Sequence, residues 1–138
     1  MNMRSTSFFI CLLLSHLTHV TAAPVEFKTE HASYVSGGIG VDEAAEMRAM
    51  APRYALEIVS IVKSKSGQRD QYTSDFRVQV KDLKDTILID ALSEGPIFLA
   101  NLPKGSYQIT ATQNGISKSQ KVSIQNKTHR RVIFVWPE

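Results

Sequence analysis

Cysteine is nearly missing from this chain. Cys11 is the only one in 138 residues. An internal disulfide and a cysteine-based zinc site are both excluded, because each needs at least two thiols. Histidine is sparse as well. Beyond the first 22 residues only His31 and His129 remain, far apart and in no ligand spacing, whereas a metal centre needs three or four ligands of the right type. Met47 and Met50 sit three apart, and a thioether pair on an apolar helix face reads as core filler. Tryptophan occurs once, at Trp136. Its period groups it with Val132 and Phe134, so it reads as core rather than as a carbohydrate platform. Charge is nearly balanced: 16 Lys+Arg stand against 13 Asp+Glu. The only dense basic cluster is His129-Arg130-Arg131, with Lys127 just before it. Nucleic-acid binders carry a long basic face, so no nucleic-acid partner is expected. No apolar run approaches the roughly 20 residues that span a bilayer.

What is present begins with an address. Arg4 is the only Lys, Arg, Asp or Glu before Glu26, and an apolar run follows at Phe8-Phe9-Ile10-Cys11-Leu12-Leu13-Leu14. Small residues close the pattern at Thr21, Ala22 and Ala23. This order predicts a secretory signal peptide over 1–22, cleaved after Ala22, and hence a periplasmic or secreted protein. Cleavage after Ala23 would place Pro24 beside the scissile bond. Cys11 leaves with the signal. Ile10 before it is too large for a lipidation signal. The 116 residues that remain suit one domain with one core.

Residues 23–41 read as an irregular lead-in that ends in Ser36-Gly37-Gly38-Ile39-Gly40. Asp42 reads as a helix N-cap, with Glu43 and Glu46 favourable to the dipole. A short helix is predicted at about 42–50, stopped by Pro52. Its Ala44, Met47 and Met50 or Ala51 fall on one face and should pack on a sheet. The lead-in and helix together make 23–51, and a β-sandwich is expected over 52–138.

From Tyr54 the period changes to two. Tyr54, Leu56 and Ile58 alternate with their neighbours, as do Phe76, Val78 and Val80. Short strands are expected at 86–89 and 97–99, and 63–73 reads as loop. Tyr107, Ile109 and Ala111 alternate before Asn114-Gly115, the preferred pair for a type I′ hairpin turn. Val132-Ile133-Phe134-Val135-Trp136 is apolar on both faces, which predicts a central strand covered on both sides. About seven strands at regular spacing make an all-β sandwich with one short N-terminal helix.

One stretch adds a resemblance. Leu102-Pro103-Lys104-Gly105-Ser106-Tyr107 leads into a long strand, a turn with Gly115 and a return. It resembles the carboxypeptidase regulatory-like domains. The segment Tyr34-Val35-Ser36-Gly37-Gly38-Ile39-Gly40, followed by acids and a helix, is similar to a group of small exported bacterial proteins with that domain. The resemblance covers about 34–136. It implies a seven-strand transthyretin-like (Ig-like) sandwich and no catalysis of its own, since the metallocarboxypeptidases keep zinc and chemistry in another domain. Physically, Pro103 and Gly105 supply a tight corner, and Tyr107 is expected to bury its ring while its hydroxyl bonds nearby backbone.

No enzyme activity, metal or cofactor is expected. Gly37–Gly40 before a helix could cradle an anion, but Asp42 and Glu43 sit where the anion would go. The reading is a non-enzymatic exported binding or accessory module, contacting another envelope protein through loops or an open sheet edge. The other reading is a small ligand carrier or hydrolase with a pocket between loops. Candidate partner-binding residues are Tyr34, Gly37, Gly38, Ile39, Gly40, Asp42 and Glu43, because loops on a rigid scaffold carry function more often than core faces. The bland reading of that segment is a cover for a sheet edge. Oligomeric state is left open.

Overall fold

The computed structural model describes residues 22–138. The signal-peptide reading falls on residues outside these, Ala22 excepted. In chain order the elements are β1 (Phe27–Lys28), β2 (Ser33–Gly37), α1 (Val41–Met50), a 3-10 turn (Ala51–Arg53), β3 (Leu56–Val62), β4 (Gln71–Tyr72), β5 (Phe76–Asp82), β6 (Ile87–Ser93), β7 (Ile97–Asn101), β8 (Gly105–Gln113), β9 (Ile116–Ile124) and β10 (Arg130–Trp136). They form two sheets and one short helix, an all-β sandwich. Sheet A runs β1-β2-β7-β3-β10, with β4 also paired to β3, and sheet B runs β6-β5-β8-β9. Every pairing is antiparallel except β3 with β10.

The period-two pattern sets the core. Leu56, Ile58, Phe98, Val132, Phe134 and Trp136 from sheet A meet Phe76, Val78, Val80, Tyr107 and Ile109 from sheet B in one buried cluster. Each such side chain contributes about 1.5–3 kcal/mol by leaving water. Its few polar atoms are matched. The Trp136 indole N–H donates to Ser60 Oγ at 2.7 Å. The Tyr107 hydroxyl donates to the Pro103 carbonyl at 2.6 Å, as the corner motif predicts. Burial, helped by the Asp82 carboxylate, pushes the Tyr107 phenol above its ordinary pKa. Asn114 and Gly115 have φ of 49° and 77°. Positive φ at both central residues is what a type I′ turn requires, and it sets the β8–β9 register from Gln113↔Ile116 to Gly105↔Ile124.

Three expectations are corrected. Residues 23–41 are not simply irregular: Ser33–Gly37 is a strand inside sheet A, paired Val35↔Leu99. Two serines and a glycine in five residues hide it, and its partner lies more than 60 residues away. Asp42 is not the helix cap. Gly40 holds that position with no side-chain cap bond, and Glu43 instead reaches back to accept from the Ile39 N–H at 3.0 Å. That bond ties the residue before the cap to the first turn of the helix. Finally, among the described residues β10 is an edge strand rather than a central one, bonded only to β3. Its inward residues are buried, but Ile133 on the other face is 41% exposed.

The helix packs on sheet A as its face predicts. Met47 and Ala51 join Val35, Tyr54, Ile97 and Leu99 in a second buried cluster, with Met50 at its border. Both seams of the sandwich carry side-chain bonds. On one, Thr29 Oγ1 donates to the Leu88 carbonyl at 3.0 Å. On the other, Lys118 and Gln120 of β9 donate to the Val135 and Ile133 carbonyls of β10.

Candidate functional site

Sheet A turns alternate residues outward, and the ladder aligns them in rows. One row is Arg131, Glu57 and Leu99; the next is Ile133, Val59 and Ile97. The third is Val135, Ile61 and Tyr72. Helix α1 covers the β2 and β7 side of this face. On the β10 and β4 side, Ile133 and Tyr72 stay exposed and Val135 and Ile61 are half-buried.

Where the open side meets the start of α1 there is a pocket of about 450 Å³. Gly38, Ile39, Gly40, Val41 and Ala44 form one wall, and Tyr72, Ser74 and Pro96 the other. Ile39 is 61% exposed, Val41 83% and Tyr72 56%. Among the described residues, Arg48 is the only charged one in the lining. Single exposed apolar residues are ordinary on a surface, but a contiguous group marks an interaction site.

Hydrogen bonds to buried polar groups anchor the walls. Gln113, on β8, donates to Thr73 Oγ1 at 2.7 Å and to the Ser74 carbonyl at 3.0 Å. The Thr73 N–H donates to the Ser60 carbonyl at 3.0 Å. On the other side, Ser93 Oγ donates to the Gly95 carbonyl, and the Glu94 N–H donates to Ser36 Oγ. Gly95 is pressed against β2: a Cβ there would lie 2.1 Å from the Gly37 carbonyl oxygen. Gly38 and Gly40 take φ of 97° and 80°, the left-handed region that glycine enters at least cost. That backbone course is what swings Ile39 out of the sheet.

The structure brings together Gly38, Ile39 and Gly40 of the candidate residues and leaves the others elsewhere. Tyr34 is stacked between Phe27 and Phe98, at 5.3 and 4.9 Å. Gly37 ends β2 and makes room for the Glu43 carboxylate. Glu43 is a latch within the chain, and Asp42 is exposed on the first turn of α1. Sequence reasoning missed Val41, Ala44, Arg48, Tyr72 and Pro96. Tyr72 lay in a stretch read as loop, and no local pattern links it to Ile39.

A polar cluster at the far end of β3 was also missed. Glu57 is buried on the outer face. A buried carboxylate is costly unless it is paired. His129 Nε2 lies 3.0 Å from it and Arg131 Nε 3.5 Å. The Tyr54 carbonyl can only accept, so His129 Nδ1 donates to it, at 2.8 Å. His129 therefore ties the β9–β10 turn to β3. Among the described residues, no group of three or more His, Cys, Asp or Glu is placed to hold a metal ion, and no helix is long and apolar enough to cross a membrane.

No protein-family model matches the chain, and no curated protein matches it.

Proposed function

We propose that the protein is a non-enzymatic exported binding module, of the carboxypeptidase regulatory-like group with its seven-strand transthyretin-like sandwich. It docks an apolar segment of another envelope protein against the outer face of sheet A. The observation that carries this reading is the contiguous exposure of Ile39, Val41 and Tyr72 around one pocket. Arg48, as the lone charge there, suits a carboxylate flanking the partner's apolar side chains. The face is favoured over the β10 edge, because Lys118 and Gln120 already occupy two carbonyls that an added strand would need.

The test places a photo-crosslinking residue at Val41 in the protein expressed with its leader in a bacterial host. The expected adduct is with an envelope protein, through an apolar stretch bearing Asp or Glu. Ile39→Asp combined with Tyr72→Ala should abolish capture at unchanged melting temperature, since truncating a hot-spot aromatic costs about 2 kcal/mol or more of binding. Equal capture by the double variant and the parent would end the proposal. N-terminal sequencing of the exported product should begin at Ala23.

A further inference from the structure

At the opposite end of sheet A lies a second cleft, of about 420 Å³, with a different chemistry. Three separate segments build it: the 3-10 turn with Arg53, the end of β7 and the loop after it with Asn101 and Lys104, and the β9–β10 turn with Asn126, Lys127 and His129. Every charged residue in its lining is basic, and the lining contains no Asp or Glu. Among the described residues, Arg53, Lys104 and Lys127 form no ion pair.

The acids nearby are committed elsewhere. Glu57 is taken by His129 and Arg131. Asp82 accepts from the Lys84 and Thr86 N–H groups at 2.8 and 2.9 Å. Glu26 accepts from the Ser33 hydroxyl. The Asn101 side-chain oxygen is used by the Ala55 N–H at 3.0 Å, which leaves its amide N–H groups as its unspent donors.

A second observation concerns the backbone. Lys127 has φ of 57°, the left-handed region that non-glycine residues enter at a cost. The neighbouring Asn126 is the residue type that tolerates this conformation best after glycine, yet the lysine occupies it. The turn thus presents a cation at a position where the backbone alone would favour another residue.

We propose that this cleft binds a small, multiply charged oxyanion, a ligand bearing phosphate or several carboxylates. Lysine, arginine and amide donors lining one cleft that holds no Asp or Glu suit such acceptors, because hydrogen bonds between charged partners are the strong ones. A cleft of this size suits a small-molecule ligand. The site is independent of the apolar face, from which the length of β3 separates it.

Isothermal titration of the purified protein with pyrophosphate and with citrate tests this. Saturable one-to-one binding of either is expected, weakening as salt rises. Binding of pyrophosphate alone would assign phosphate, and binding of citrate would admit carboxylates; both support the site. Lys104→Gln should weaken binding about tenfold, the loss of one charge-assisted contact. Lys127→Gly should do the same while keeping or raising the melting temperature, because glycine accepts this φ without strain. A lysine with only a structural role could not give that pair of results. Arg77→Gln, on sheet B and paired with Asp90, should leave affinity unchanged, as should Ile39→Asp. No saturable binding of either probe at millimolar concentration would overturn the proposal. So would Lys127→Gly binding as tightly as the parent, or Arg77→Gln weakening binding as much as Lys104→Gln.

Discussion

The two faces of sheet A are made from alternate residues of the same strands, yet they carry different duties. Inward, Val132, Phe134 and Trp136 are buried against sheet B. Outward, Arg131, Ile133 and Val135 are only partly covered, and α1 shields the other half of that face. A strand with two apolar faces thus has two explanations. It can lie in the middle of a covered sheet, or it can sit at an edge with one face in the core and the other left open. The second holds for β10, and the open face leads to the apolar pocket.

Mutations on β10 and at the turn into β7 test how far the faces differ. Phe134→Ala should have the largest effect, a loss of about 3–5 kcal/mol, because a well-packed core cannot refill the space. The urea midpoint of unfolding measures it, and a loss below 1 kcal/mol would put the inner face on loose packing. Gly95→Ala should follow, at about 2–3 kcal/mol, since the new methyl group would collide with β2 backbone where the turn from sheet B enters sheet A. Proton–nitrogen spectra of that variant should shift at Gly37 and Pro96 neighbours rather than in the β8–β9 hairpin. Ile133→Ser, next to Phe134 in sequence, should change stability by no more than about 0.5 kcal/mol. A larger loss would mean the outer face is packed in a way its exposure does not indicate.

Local chemistry made part of this molecule readable from its residues. Helix 42–50, the Leu102–Tyr107 corner, the Asn114-Gly115 turn and the inward Trp136 each follow from periodicity or from turn residues over fewer than ten positions. The features that were not readable depend on partners far away. Ser33–Gly37 becomes a strand only because β7 offers it a ladder. Gln113 anchors Thr73 and Ser74 across some 40 residues, and Glu57 meets a histidine 72 positions later. The candidate site divides in the same way. The glycine-bounded Ile39 stood out by composition. Tyr72 did not, since a two-residue strand on β3 leaves no periodic trace.

The side chains of Lys118 and Gln120 have a consequence for the protein in crowded conditions. Val132-Ile133-Phe134-Val135-Trp136 has the composition of a fibril-forming segment: high β propensity, no charge and no proline. Its free edge would template a second copy if it were bare. The lysine and the glutamine act as gatekeepers, at a position where the described residues supply no covering strand. Replacing both with alanine should leave the monomer folded but shorten the lag of thioflavin-positive fibril growth.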